Sequence, residues 1–322
     1  MKRLSLKKRL GRMLEPIMRV LFRALQSLGL HVTRNHFYEP VPDTRMLKED
    51  LWSRHSEVVG VEMNLPQQIA LLEEAFPKYI RECKFTEDES AVRHEFHFGN
   101  DFFEAVDAEI LHSMVRHFKP KRMIEIGSGH STLVSARAAI MNREIDGSSM
   151  ELICVEPYPN EKILTGLPGL ARLIRQPIQE VDMSVFRNMD RNDILFIDSS
   201  HVAKIGSDVL YEYLEILPRL RPGVLVHIHD IFIPDEYPKQ WVLNEHKFWT
   251  EQYLLQAFLA FNLSFEVLWA SSFMSRTDPE RLERAIPSWK DSHRRLPRRL
   301  RHSPTRDGRN VWPVSFWIRR VR

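Results

Sequence analysis

Cysteine is the scarcest functional residue of this chain. Its 322 residues include only Cys83 and Cys154, which lie far apart. Two distant cysteines supply neither a disulfide framework nor the closely spaced ligands of a structural zinc site, so we expect a reducing compartment and a cytoplasmic protein. No apolar run reaches the ~18 residues that span a bilayer. Arg19 and Arg23 interrupt the apolar stretch near the N-terminus, which argues against a secretory signal.

Acidic residues are outnumbered by basic residues at the two ends of the chain. Residues 1–34 carry nine lysines and arginines against one acid, and residues 276–322 carry fourteen against five. Apolar side chains recur at helical spacing in residues 14–28 with arginines on the other side, which predicts a basic amphipathic helix over residues 1–30. Three partners suit it: the rest of the domain, a second chain in a homo-oligomer, or an anionic membrane surface. Few aromatics accompany the arginines of residues 294–301, so we expect no nucleic acid.

The order of the predicted elements indicates an α/β fold. A helix is expected at 66–80. Strands are expected at 122–126, 151–155, 171–175, 193–197, 224–228, 265–270 and 314–318, with helices at 107–118, 131–141, 208–217 and 252–261. Alternation of this kind is typical of a mostly parallel sheet covered on both faces. We therefore expect an accessory helical segment at 1–94 and a main domain at 95–322, with an arginine-rich insertion at 276–310.

Glycines interrupt the chain directly after the first predicted strand, in the stretch EIGSGHST. Without Cβ atoms, Gly127 and Gly129 let the backbone approach a ligand, and the next helix points its N-terminal N–H groups at the same place. A tight strand–helix turn is the alternative reading. A dinucleotide fingerprint would require a third glycine where Thr132 stands, which disfavours a nicotinamide-dependent oxidoreductase. Glu125 before the glycines and Glu156 after the second strand suit a ligand with an ammonium group and a ribose.

Four segments together resemble the class I S-adenosylmethionine-dependent methyltransferases, namely EIGSGHST, ICVEPYP, ILFIDSSHV and PRLRPGVLVHIHDIFIPDEYP. More narrowly they resemble a bacterial O-methyltransferase-like branch with IDxxH and HIHD strand ends. The resemblance covers roughly residues 95–275. It implies a Rossmann-like fold with a seven-stranded, mostly parallel sheet, helices on both faces and accessory N-terminal helices. It also implies S-adenosylmethionine as cofactor, with binding residues Glu125, Gly127, Ser128, Gly129, Ser131, Glu156 and Gln179.

A second group of polar residues ends two further predicted strands. Asp198 and His201 follow one strand, and His229 and Asp230 end the next, so these side chains meet at the ligand crevice. From strand alternation, His229 is expected to point one way and Asp230 the other. His227 is expected to be a packed core histidine.

Methyl transfer needs a base or an orienting group for the acceptor, and the candidates for this catalytic role are His201, Asp198 and His229. The resemblance also suggests a divalent metal held by Asp198, His229 and Asp230. A helix-capping role for Asp198 is the alternative. The expected reaction is O-methylation of a small molecule or sugar. A non-catalytic regulatory member that binds the cofactor is the other alternative.

Overall fold

A single seven-stranded sheet organises the protein. In the computed structural model, which describes residues 17–33, 35–292 and 313–322, the sheet order is β3-β2-β1-β4-β5-β7-β6. The strands are β1 Arg122–Ile126, β2 Glu151–Val155, β3 Leu170–Ile174, β4 Ile194–Ile197, β5 Leu225–Ile228, β6 Phe265–Ala270 and β7 Phe316–Arg320. Strands β1 to β5 are parallel, and β7 runs antiparallel to both neighbours. The predicted mostly parallel sheet is confirmed.

The strand order changes direction between β1 and β4. The chain first builds outward from β1 to β3 and then returns to add β4 on the other side of β1. In open α/β sheets a crevice opens at such a switch point, beyond the carboxyl ends of the strands. This topology brings the loops after β1, β4 and β5 to one edge of the sheet.

Helices cover both faces of the sheet. They are Leu65–Ala70, Pro77–Ile80, Asp107–Phe118, His130–Asp146, Glu161–Leu164, Ser184–Arg187, Asp208–Tyr211, Lys239–Leu243, Glu251–Leu259, Ser271–Thr277, Pro279–Ala285 and Pro287–Ser292. Wider π-type turns at Leu71–Ala75 and Glu212–Ile216 extend two of them. Short 3-10 turns lie at Thr44–Met46, Glu49–Trp52, Ile178–Glu180 and Leu217–Arg219. Every strand predicted from sequence is present, with bounds that differ by at most two residues.

Two apolar clusters form the core, one on each face of the sheet. Successive side chains of a strand point to opposite faces, so Met123 joins one cluster and Ile124 the other. Leu72 and Phe76, from the predicted accessory segment, are fully buried in the first cluster. The part of that segment after residue 65 therefore packs as an integral part of the core.

Residues 279–292 also contribute to the core. The sequence suggests an insertion across 276–310, but its first part forms the two helices Pro279–Ala285 and Pro287–Ser292. Leu282, Ile286 and Trp289 are buried in the first cluster. Their apolar spacing was hidden among arginines and prolines. The arginine cluster at 294–301 lies outside the described residues.

The N-terminal segment is helical at 17–26. Ile17, Val20 and Leu21 are more than two-fifths exposed, so these apolar side chains do not pack on the rest of the described chain. The earlier half of the predicted helix falls outside the described residues. Within the part of the chain that is described, no helix is both long and apolar enough to cross a membrane.

Candidate active site

The loop after β1 is shaped by two glycines with different roles. Gly127 has φ of 101°, and a Cβ there would lie 2.4 Å from the carbonyl oxygen of Asp198. Glycine is therefore required for close contact between this loop and the end of β4. A Cβ on Gly129 would meet nothing within 4 Å. The second glycine leaves open space at the start of the helix His130–Asp146.

Hydroxyl groups hold this loop to the carboxyl group of Glu125. Ser131 Oγ donates to Glu125 Oε1 at 2.5 Å and Thr132 Oγ1 donates to the same atom at 3.0 Å. The N–H of Gly129 donates to Thr132 Oγ1 at 2.9 Å. Thr132 occupies the position of the third glycine of a dinucleotide fingerprint. Its hydroxyl group thus links the backbone of Gly129 to the carboxyl group of Glu125.

Glu125 lies inside the protein. It has no exposed surface, and burial raises its pKa to about 8, although the hydrogen bonds from Ser131 and Thr132 oppose the shift. We predicted from sequence that Glu125 and Ser131 surround a ligand. In this structure they contact each other, and their contact with a ligand stays a prediction.

The other predicted cofactor residues lie along the same edge. Ser128 Oγ is buried and has no hydrogen-bond partner among the described residues. Glu156 follows β2, half-buried, and its carboxylate accepts from the N–H of Tyr158 at 2.8 Å. Gln179 is exposed and donates to the carbonyl oxygen of Gly206 at 3.0 Å. An orphaned hydroxyl, an open glycine and helical N–H groups fit the methionine part of S-adenosylmethionine.

The polar residues after β4 and β5 converge on one point. His201 Nε2 lies 3.3 Å from Asp198 Oδ1 and 3.4 Å from Asp230 Oδ2. His229 Nε2 lies 3.9 Å from Asp230 Oδ1. The expectation that Asp230 faces away from His229 is wrong. Strand β5 ends at Ile228, and Asp230 has φ of 56°, so strand alternation no longer applies there.

The two histidines of this cluster differ in their hydrogen bonding. Burial would lower the pKa of His201, but Asp198, Glu251 and Asp230 together raise it well above its usual range. His229 is only 3% exposed, yet neither ring nitrogen has a hydrogen-bond partner among the described residues. Burial disfavours the charged form of His229, whereas the nearby carboxylates favour it. The carboxylates outweigh burial, so the pKa of His229 is raised.

His227 is a core residue, as expected. It has no exposed surface, its Nε2 lies 2.9 Å from Ser315 Oγ, and its ring stacks on Phe196 with centroids 4.0 Å apart. Burial lowers its pKa well below the usual range. His227 takes no part in the site.

No local sequence pattern identifies the group that contacts Nδ1 of His201. Glu251, which begins the helix Glu251–Leu259, has no exposed surface, and its Oε2 lies 2.9 Å from His201 Nδ1. Trp249 packs on the imidazole with centroids 4.4 Å apart. Glu251 is fifty residues from His201 in sequence. An acid at the start of a helix would be read as a favourable charge for the helix dipole.

A cavity of about 500 Å³ opens in front of these groups. It is lined by Asp198, His201, His229 and Asp230, by the further acids Asp101, Glu104 and Asp107, and by Phe102, Phe232, Trp241, Trp249 and Lys247. Lys247 Nζ lies 4.2 Å from the ring centroid of Trp241 and 5.2 Å from that of Trp249. The cavity therefore combines carboxylates with two indole rings.

Three of the polar groups are arranged as a set of metal ligands. Asp198, His201 and Asp230 each offer one ligand atom, and these atoms lie within 4.8 Å of one another. The predicted set contained His229, whereas the compact set contains His201. Two carboxylates and one imidazole suit a divalent cation such as Mn²⁺ or Fe²⁺ better than Mg²⁺, which prefers oxygen ligands.

Comparisons with known proteins identify several that this chain is similar to. The sequence model of a family described as a methyltransferase domain matches residues 124–231. An uncharacterized protein of Archaeoglobus fulgidus is 31% identical over 177 residues, which cover 52% of this chain and 78% of that protein. A solved structure described as a putative protein-L-isoaspartate O-methyltransferase from Plasmodium falciparum, in complex with S-adenosyl-L-homocysteine, matches with 17% identity and a TM-score of 0.30. That match covers 53% of this chain and 78% of the other.

Proposed function

The chain contains a methyltransferase domain, matched over residues 124–231, and on that premise we propose that it transfers a methyl group from S-adenosylmethionine to a hydroxyl group of a small molecule or sugar. One observation carries the proposal. The glycine loop after β1 touches the end of β4 at Asp198, and the cavity of about 500 Å³ opens at the same point. A methyl donor on the loop and an acceptor in the cavity would therefore meet beside the cluster of acids and histidines.

The donor side uses the loop and the two neighbouring strand ends. The open face of Gly129 and the unpartnered hydroxyl of Ser128 would receive the methionine part of S-adenosylmethionine. Glu156, at the end of β2, has a half-buried carboxylate in the position where ribose hydroxyls would donate to it. Gln179 remains the candidate for the adenine.

The shape and polarity of the cavity support a hydroxylated ring as acceptor. Trp241 and Trp249 line the cavity together with several carboxylates, and carboxylates accept hydrogen bonds from hydroxyl groups. Ligand sites commonly combine such apolar surfaces with a few polar groups that fix orientation. A sugar or another polyhydroxylated ring would contact the aromatic side chains with its ring and the carboxylates with its hydroxyl groups.

The transfer itself is an in-line displacement. The acceptor oxygen forms a bond to the methyl carbon while the bond from that carbon to the sulfonium sulfur breaks, and S-adenosylhomocysteine leaves. The acceptor hydroxyl also loses a proton. Of the two cluster histidines, only His229 has ring nitrogens without hydrogen bonds. We therefore assign His229, in its neutral form, as the base that takes this proton from the acceptor hydroxyl. A donor held on the loop beside an acceptor held in the cavity would supply the rest of the rate enhancement through proximity and orientation.

A divalent cation fits the neighbouring ligand set. Asp198, His201 and Asp230 would hold it, and when bound it would lower the pKa of a coordinated acceptor hydroxyl. His201 would bind through Nε2, since Nδ1 already contacts Glu251.

Calorimetry and a turnover assay test the proposal. We expect S-adenosylhomocysteine to bind with micromolar affinity, about 8 kcal/mol. With an acceptor found by screening sugars and phenols for release of S-adenosylhomocysteine, His229→Gln is expected to lower kcat about 10²–10⁴-fold. His246→Gln, on an exposed loop, is the matched control. Binding of NAD without S-adenosylhomocysteine would overturn the proposal, and full activity of His229→Gln would overturn the role assigned to His229.

The cation has its own test. We expect Mn²⁺ to bind to the wild type, and Asp230→Asn to weaken that binding by at least tenfold. Asp235→Asn is the control, because this acid lies on the same segment but contacts His55 and Arg276 instead of the cluster. If chelation leaves turnover unchanged, the cluster acts without a metal.

A further inference from the structure

We propose that Glu251 is a positioning residue, which holds the imidazole of His201 so that Nδ1 carries a proton and Nε2 faces Asp198 and Asp230. The use of this orientation in methyl transfer rests on the proposed function. The orientation itself is a property of the protein alone.

Three consecutive residues hold His201. Trp249 packs against its ring at 4.4 Å between centroids. The backbone N–H groups of Thr250 and Glu251 donate to the carbonyl oxygen of His201 at 2.9 and 3.1 Å. The carboxylate of Glu251 contacts His201 Nδ1 at 2.9 Å. One short segment thus fixes the ring face, the backbone and one ring nitrogen of the same residue.

The backbone of His201 explains why it needs to be held. Its φ is 60°, in the left-handed region that non-glycine residues rarely adopt. Residues in such conformations persist where the surrounding structure determines them, often at functional sites. Thr250 extends the same contact, since the N–H of Ala203 donates to Thr250 Oγ1 at 2.8 Å.

The chemistry of imidazole explains what the carboxylate adds. A neutral histidine carries its proton on one nitrogen, and the hydrogen bond of that nitrogen decides which one. A carboxylate accepts only, and Glu251 lies closer to its ring nitrogen, at 2.9 Å, than the two aspartates do to theirs. In the neutral ring it therefore favours the Nδ1–H form and leaves the lone pair on Nε2. Nε2 is the atom placed 3.3–3.4 Å from the two aspartates. Partners of this kind behind a metal-binding histidine are typically worth 10–100-fold in affinity or activity.

A second buried acid provides a matched control. Glu212 also has no exposed surface, but its carboxylate accepts from Ser199 Oγ at 3.1 Å and is not within hydrogen-bonding distance of His201. The substitutions Glu251→Gln and Glu212→Gln each replace a buried carboxyl group by an amide at similar depth. Only the first removes the group on Nδ1.

Nitrogen NMR of histidine-labelled protein tests the inference directly. The His201 signal is identified by its loss in His201→Gln, and spectra are recorded above the pH at which the ring becomes neutral. In the wild type we expect the proton on Nδ1. In Glu251→Gln we expect a mixture of the two forms, whereas Glu212→Gln should resemble the wild type. A wild-type ring with its proton on Nε2, or an unchanged ring in Glu251→Gln, overturns the inference.

Cation binding gives a second readout. Titration with Mn²⁺ is expected to show 10–100-fold weaker binding to Glu251→Gln, partial recovery in Glu251→Asp, and affinity within about threefold of wild type in Glu212→Gln. If both glutamine variants bind Mn²⁺ equally weakly, the loss comes from the removal of any buried acid near the site, and the positioning role of Glu251 is overturned. If the wild type binds neither Mn²⁺ nor S-adenosylhomocysteine, the proposed function fails, while the NMR result still decides the role of Glu251.

Discussion

A pair of glycine substitutions separates ligand approach from folding. A Cβ on Gly129 meets nothing within 4 Å and the residue has φ of 176°, so alanine fits this backbone without strain. We expect Gly129→Ala to change the free energy of unfolding by less than about 1 kcal/mol. The added methyl group projects into open space at the start of the helix, where the methionine part of the cofactor would lie. We expect S-adenosylhomocysteine affinity to fall at least tenfold, about 1.4 kcal/mol.

Gly127→Ala is expected to behave in the opposite way. Its φ of 101° is unfavourable for alanine, and the new Cβ would lie 2.4 Å from the carbonyl oxygen of Asp198. Left-handed strain costs about 1–2 kcal/mol and overpacking a further 1–3 kcal/mol, so the loss is about 3 kcal/mol. Urea unfolding measures stability, and calorimetry measures affinity on the folded protein. Wild-type affinity in Gly129→Ala, or wild-type stability in Gly127→Ala, would refute this account of the loop.

Three further predictions concern pH and the N-terminus. The raised pKa of Glu125, about 8, means that the folded state prefers the neutral acid, so wild-type stability should fall between pH 4.5 and 8, by up to about 5 kcal/mol. Urea unfolding of Glu125→Gln at pH 5 and 8.5 should lack this loss; an equal slope would show an ionised Glu125. Burial would raise the pKa of Glu82, but hydrogen bonds from His112 and Arg116 outweigh it and lower the pKa to about 2. Ionised Glu82 should therefore stabilise the fold above pH 4.5, and this stabilisation should be lost as the pH falls towards 2. Glu82→Gln should therefore cost about 2–3 kcal/mol at pH 7 but little near pH 2. Deletion of residues 1–30 should leave the fold intact and reduce binding to vesicles of anionic lipid, measured by co-sedimentation; unchanged vesicle binding or an altered oligomer would favour a protein partner.

Hydrophobic patterning alone determined the sheet. Each strand is a short apolar run between polar turns, and such a pattern indicates a fully buried strand. The sequence also predicted that the glycine loop lies near four strand-end residues, because parallel strands place their carboxyl ends at one edge of the sheet. These residues are Asp198, His201, His229 and Asp230. The two helices at 279–292 were not visible, since arginines and prolines masked the few apolar residues that reach the core.

Tertiary structure decided how the site residues are used. Strand alternation ends where the strand ends, so only the left-handed turn at Asp230 brings it to the same cavity as His229. The burial of Glu125 depends on Ser131 and Thr132 folding back over it. Glu251 reaches His201 across fifty residues of chain, and no local pattern records which distant acid meets which nitrogen. The sequence determines which groups stand at a strand end, whereas side-chain packing decides which atom of each group remains free to react.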